Sequence, residues 1–116
     1  MRKFESGAVR DSNEGKPRPD LISAQFKLRL GQHLALGAEH YGENNWQKGM
    51  SNEVLRESLE RHLLAYDLGK TDEDHLSAAA FNLMALIHFD ELNSQEDGNK
   101  KRVFIAIFIL RAKVKF

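Results

Sequence analysis

From Ile22 onward, apolar residues return every fourth position. Ile22, Phe26, Leu30 and Leu34 fall on one face of a helix. Pro19 cannot continue a helix from behind and Asp20 can cap one, so this helix is expected to open at Asp20. Gly31 and Gly37 either weaken it or allow close packing, and Gly42 ends it. A second helix is expected after Ser51 or Asn52 as its cap. Leu55, Leu59, Leu63 and Tyr66 form its apolar stripe, Glu53, Arg56, Glu57 and Glu60 line its other faces, and Gly69 closes it. The third opens with "TDED", Thr71 to Asp74, which reads as a capping box: the Thr71 hydroxyl and the Asp74 carboxylate can satisfy free amides of the first turn. The segment that follows, "LSAAAFNLMALIHF", is apolar nearly all round, the mark of a central, buried helix. A helix over 71–89 should therefore sit at the centre of the fold. The short loop before it makes the second and third helices antiparallel neighbours.

The two ends break this pattern. Residues 1–19 are polar, punctuated by Gly and Pro and without period, and read as an extended arm that lies on the domain or folds over a site. "NSQEDGNKKR" reads as a linker or turn. "VFIAIFILRAKVKF" is β-branched, aromatic and basic, and fits a late strand, a helix docked on a partner subunit, or a sticky tail. The expected fold class is all-α. It is a small helical bundle with an arm over 1–19, a helical core over 20–91, and a linker with a basic apolar tail over 92–116.

Composition narrows the function classes. A chain of 116 residues suggests one domain, and 17 Lys and Arg balance 17 Asp and Glu. Bulk charge thus gives no strong nucleic-acid or membrane signal, although the first 20 and last 17 residues are rich in Lys and Arg and 39–97 is acidic. The absence of cysteine excludes a disulfide framework and thiolate metal sites, and agrees with a cytoplasmic protein. No signal peptide is evident, and the apolar run "VFIAIFIL" falls far short of the roughly 20 residues that span a bilayer. A chain this small is expected to complete its core by self-association, as a homodimer or larger oligomer.

The candidate chemistry lies in polar residues set among apolar ones. A buried amide such as Asn82 costs about 1–3 kcal/mol without a partner. His75 lies two helical turns earlier on nearly the same face. Pairing the second and third helices antiparallel brings Arg61 and His62 opposite His75, and Glu57 roughly opposite Asn82. Glu57, Arg61, His62, His75 and Asn82 would then line one inter-helix groove, either as a structural hydrogen-bond network or as a site. Arg61 is a natural phosphate binder, because its planar fork matches phosphate oxygens.

Four ordered stretches carry a resemblance: "GKPRPDLI" at 15–22, "LGAEHYGENNWQKG" at 36–49, "SLERHLLAYDLG" at 58–69 and "DEDHLSAAAFNLMALIH" at 72–88. Over roughly residues 1–91 the chain resembles a bacteriophage family of dATP/dGTP diphosphohydrolases, in its N-terminal-domain type. The resemblance implies an all-α fold similar in style to MazG-like nucleotide pyrophosphohydrolases, with purine deoxynucleotides as ligands. It picks out Lys16, Asp20, Tyr41, Asn45, Trp46, Arg61, His62, His75 and Asn82. It also implies a host-cell cytoplasmic location if the protein is phage-encoded.

Within that expectation, Tyr41, Asn44, Asn45 and Trp46 would form a base-reading loop, since an aromatic face stacks a purine and Asn pairs with adenine-type edges. Alternatively, Trp46 folds back to plug the core beneath the loop. Lys16, Arg18 and Arg61 would meet phosphates. MazG-like enzymes hold Mg²⁺ with a glutamate-rich helix and a second acidic pair. This chain offers Glu57 and Glu60, then Asp72, Glu73 and Asp74, without the full pattern. The expected metal ligands are Glu57, Glu60 and Asp74 for Mg²⁺, with His62 or His75 moving protons. An HD-type phosphohydrolase is disfavoured because no His is followed directly by Asp. The expected reaction is attack of water on the triphosphate to give a monophosphate and pyrophosphate. The alternative is a non-catalytic sponge that sequesters a host antiviral signalling nucleotide. A regulatory role for the tail is a third, weaker option.

Overall fold

A computed structural model describes residues 1–96. The tail of 103–116 and most of the expected linker lie outside these residues. The arm folds on itself as a small antiparallel hairpin, β1 (Arg2–Lys3) against β2 (Val9–Arg10), with Arg2 opposite Arg10 and Lys3 opposite Val9. Two backbone bonds close its turn: the Phe4 amide donates to Ala8 at 3.0 Å and the Gly7 amide to Phe4 at 2.9 Å. The arm is therefore not simply extended. Its polar sequence hides the pairing because two residues per strand leave no alternation to read.

Helix α1 spans Ala24–Tyr41 and opens later than Asp20. Pro19 starts a separate 3₁₀ turn over Pro19–Leu21, closed by amides of Leu21 and Ile22 donating to Arg18 and Pro19. Ile22 is extended, which breaks the run. Ser23 is the true cap, its Oγ accepting from the Phe26 amide at 3.3 Å. Asp20 instead chelates Arg18, at 2.8 and 3.0 Å. A Cβ added at Gly31 or Gly37 would meet nothing within 4 Å, so close packing does not explain either glycine. Gly42 ends the helix as expected. A second 3₁₀ turn, Asn45–Lys48, follows it.

Helix α2 spans Asn52–Asp67 and Ser51 caps it, its Oγ accepting from the Val54 amide at 3.2 Å. Its end is a Schellman turn. The Lys70 amide donates to Ala65 and the Gly69 amide to Tyr66, with Gly69 at φ 76°, a conformation open to glycine without strain. Helix α3 spans His75–Glu96. Its cap is Asp74, and the capping box anchored at Thr71 does not form. Asp74 Oδ1 accepts from the Ser77 amide at 3.1 Å, Oδ2 from the Ser77 hydroxyl at 2.7 Å, and its carbonyl from the Ala78 amide at 3.0 Å. The helix also runs on through Asn93–Glu96, which reads as linker in sequence. Ordinary helix formers follow Phe89, and no glycine interrupts them before Gly98.

The predicted central role of α3 holds, since it packs against both α1 and α2. Ser58 meets Asn82 and His62 meets His75, so positions fall on one helix as they rise on the other, and α2 and α3 are antiparallel. Arg29 meets Asp74 and His33 meets Phe81, so α1 runs in the same direction as α3. The buried apolar core is Leu55, Ala78, Ala79 and Ala85. The three alanines all lie on α3, and Leu55 of α2, 1 % exposed, is the largest fully buried side chain. The helix is not covered all round, however: Leu83 and Ile87 stay exposed, the latter at 57 %.

Candidate functional site

The antiparallel pairing sets the C-terminal half of α2 beside the first turn of α3. His75, at the start of α3, is buried at 7 % exposure. Its Nε2 lies 2.8 Å from Asp72 Oδ1. An ionised carboxylate only accepts, so His75 Nε2 carries the proton and donates it. That bond holds the Asp72 carboxyl below its ordinary range. With Nε2 as the donor, the other ring nitrogen, Nδ1, faces α2, and His62 Nδ1 lies 2.9 Å from it. Glu73 Oε1 stands 3.6 Å from the same His62 atom. Burial pushes the His62 imidazole below its usual value and outweighs the upward pull of Glu73, so the pair is not a settled ion pair. His62 and His75 are thus brought together as the sequence predicts. The sequence offers Asp72 and Glu73 beside Asp74 but assigns a ligand role only to Asp74; the signal for Asp72 is an acidic residue three positions before a helix-opening histidine.

The expected magnesium ligands do not converge. Asp74 is engaged by Arg29, whose Nε and Nη2 donate at 3.0 and 2.6 Å, as well as by Ser77. The Arg29 guanidinium holds the Asp74 carboxyl far below the usual carboxylate range. Glu60 lies 3.6 Å from Arg56 one turn back, and Glu57 is exposed on α2. Among the described residues, the group whose ligand atoms gather within 4.8 Å of one another is His62, Glu73 and His75. The donors expected for Mg²⁺ therefore do not fit a bound ion.

Asn82 is 5 % exposed and its amide is satisfied within the protein. Its Nδ2 donates to Ser58 Oγ at 3.1 Å and to the Ala78 carbonyl one turn earlier at 2.8 Å. Ser58, and not Glu57, is the partner across the interface. Trp46 leans on α3, with its ring 4.9 Å from His88, 5.8 Å from Phe81 and 6.0 Å from Phe89, all edge-on. These are the contacts of the core-plugging alternative. Asn44 adopts φ 58° and its Oδ1 accepts from Gln47 Nε2 at 3.2 Å, which shapes the turn. Asn45 is half-buried and Tyr41 is exposed. Lys16 lines a shallow cleft in the arm with Arg2, Val9, Arg10 and Asp11, and Arg18 is occupied by Asp20. Arg61 is exposed beside His62. Among the described residues, then, the expected ligand contacts form no single pocket.

Among the described residues no helix is long and apolar enough to cross a membrane. No solved structure matches the chain. A dATP/dGTP diphosphohydrolase of Salmonella phage PMBT28 is 30 % identical over 100 residues. That alignment takes in 82 % of this chain and 33 % of the phage protein, so the chain spans about a third of that relative's length. A family model described as "dATP/dGTP diphosphohydrolase, N-terminal" matches residues 6–99, which include the whole His62–His75 junction and both helices that build it. The chain belongs to that N-terminal domain family.

Proposed function

We propose that the protein binds a purine deoxynucleoside triphosphate and hydrolyses it to the monophosphate and pyrophosphate. The observation that carries this reading is the family match over residues 6–99. The junction of α2 and α3 adds chemistry suited to it. In this reading water attacks phosphorus, and the leaving pyrophosphate departs with the bonding electrons. The attacking water gives its proton to an imidazole nitrogen of the His62–His75 pair, while Asp72 fixes the tautomer of His75. Arg61, exposed next to His62 on α2, meets the phosphates with its planar fork. The triphosphate would enter as its magnesium complex, since that ion binds through substrate phosphates where a protein lacks a cage of its own.

The dispersal of Glu57, Glu60 and Asp74 favours a second reading. A domain with this junction and no carboxylate cage could hold a nucleotide without cutting it, as a sponge for a signalling nucleotide. Incubation with each dNTP and Mg²⁺, followed by chromatographic separation of products and bound ligand, distinguishes the two. Monophosphate and pyrophosphate from dATP or dGTP support hydrolysis, and intact bound nucleotide supports the sponge. Neither outcome, at full occupancy of folded protein, ends both readings. Arg61→Ala should weaken triphosphate binding by about 1.5–3 kcal/mol and leave nucleosides unaffected, since only the triphosphate has the charge it reads. Self-association belongs to the same reading: among the described residues, Leu83 and Ile87 on α3 stay exposed. Sedimentation should find a dimer or larger species.

A further inference from the structure

We infer that His62, Glu73 and His75 form a binding site for a zinc-type transition-metal ion, with Asp72 as the outer group that aims His75. The site uses the two histidines named above for proton transfer, but metal binding itself requires no nucleotide and is tested without one.

Three features carry it. The first is donor spacing. An ion about 2.1 Å from each nitrogen and oxygen sets neighbouring donors about 2.9–3.4 Å apart at ordinary coordination angles. His62 Nδ1 and His75 Nδ1 are 2.9 Å apart, and Glu73 Oε1 is 3.6 Å from His62 Nδ1. One ligand atom from each of the three residues lies within 4.8 Å of the other two, so small side-chain rotations close them on one ion.

The second is the outer bond. Asp72 accepts from His75 Nε2 at 2.8 Å, which leaves Nδ1 as the lone-pair donor on the side facing His62. A metal-ligating histidine nearly always has its other nitrogen held by such a carboxylate, which fixes the ring and raises its basicity. The third is the donor set itself. Two imidazoles and one carboxylate suit zinc and its neighbours, whereas magnesium prefers oxygen alone. Three protein ligands leave a position for water or substrate. Here that position opens on the side of Glu73, which is half exposed, while His75 is buried behind it.

The competing arrangement is a plain hydrogen bond, in which His62 donates its Nδ1 proton to His75 with no ion between them. The two differ in a direct measurement. Tag-free protein is stripped with chelator and titrated calorimetrically with Zn²⁺, Co²⁺ and Mg²⁺, and the Co²⁺ absorption spectrum is recorded. The expected result is one Zn²⁺ or Co²⁺ per chain at micromolar affinity, visible d–d bands from the cobalt form, and no comparable Mg²⁺ binding. His62→Ala, Glu73→Gln and Asp72→Asn should each weaken Zn²⁺ binding by about tenfold or more, and Glu57→Gln should leave it unchanged. Glu73→Gln and Asp72→Asn change exposed side chains, so they stay informative if a histidine variant fails to fold. Absence of Zn²⁺ binding by folded protein overturns the site. So does binding that survives both His62→Ala and Glu73→Gln.

Discussion

Helices α2 and α3 share a buried seam, whereas α1 lies on α3 and buries none of its own residues fully. The pair contains every buried apolar residue named above, together with His75, Ser77 and Asn82. Helix α1 buries no residue fully, and Leu28 and Leu36 stay exposed beside Phe26 at 49 %. The means of attachment differ accordingly. α2 and α3 are joined by the Ser58–Asn82 bond and the His62–His75 contact, and they hold the buried Leu55 and three buried alanines. α1 is tied by the Arg29–Asp74 bridge and the tilted contact of His33 with Phe81. A bridge a third to half exposed is screened by water and salt and adds little by itself. The polar cluster is built on the rigid pair, which suits a site that must hold donors in place. The face of α1 that carries Phe26, Leu28 and Leu36 is exposed apolar surface.

The largest test of this contrast is a matched pair of truncations. Leu55→Ala should cost about 2–5 kcal/mol, because a buried leucine leaves a cavity. Phe26→Ala should cost much less in the monomer, since half of the ring already faces water. Urea unfolding of both variants measures the difference. Equal costs would mean that the α1 face is covered in solution.

A middle-sized effect is expected at the joint between the two regions. Asp74→Ala removes both the cap of α3 and the anchor of Arg29. The cap alone should be worth about 1 kcal/mol, or roughly 4–8 °C in melting temperature for a domain of this size. Asp74→Asn retains a capping oxygen and loses the charge, so its smaller deficit reports the bridge separately.

The smallest effect has the opposite sign. Gly31→Ala and Gly37→Ala should each stabilise the protein by about 0.5–1 kcal/mol, because each places a good helix former where a new Cβ meets open space. Thermal melts read the change directly. Destabilisation at either position would place a second surface against α1 and sharpen the case for self-association.

Much of this was legible in the chain. Fourfold apolar spacing located α1 and α2, Gly42 and Gly69 marked their ends, and Ser51 marked a start. These features are local: periodicity and capping act over a turn or two, so the residues concerned are neighbours in sequence. The all-round apolar run located the central helix for a related reason, because only another surface can cover such a segment. The antiparallel pairing, and with it the approach of His62 to His75, followed from a short loop.

What the tertiary structure decided were choices between nearby rivals. Asp20 and Ser23 could each cap α1, and the 3₁₀ turn that begins at Pro19 left that role to Ser23. Thr71 and Asp74 could each open α3, and Arg29, 45 positions away in sequence, engages the carboxylate that does so. Trp46 was expected to stack a base or to pack, and in the fold its ring lies edge-on to Phe81, His88 and Phe89. The carboxylates show the same limit. The sequence offered Glu57, Glu60, Asp72, Glu73 and Asp74, but only the fold shows that Asp72 and Glu73 meet the histidines while Glu60 pairs with Arg56 and Asp74 with Arg29. Spacing along one helix predicts which residues share a face. Which carboxylate meets an imidazole on another helix depends on the rotation and register of two packed surfaces, and no local pattern records that.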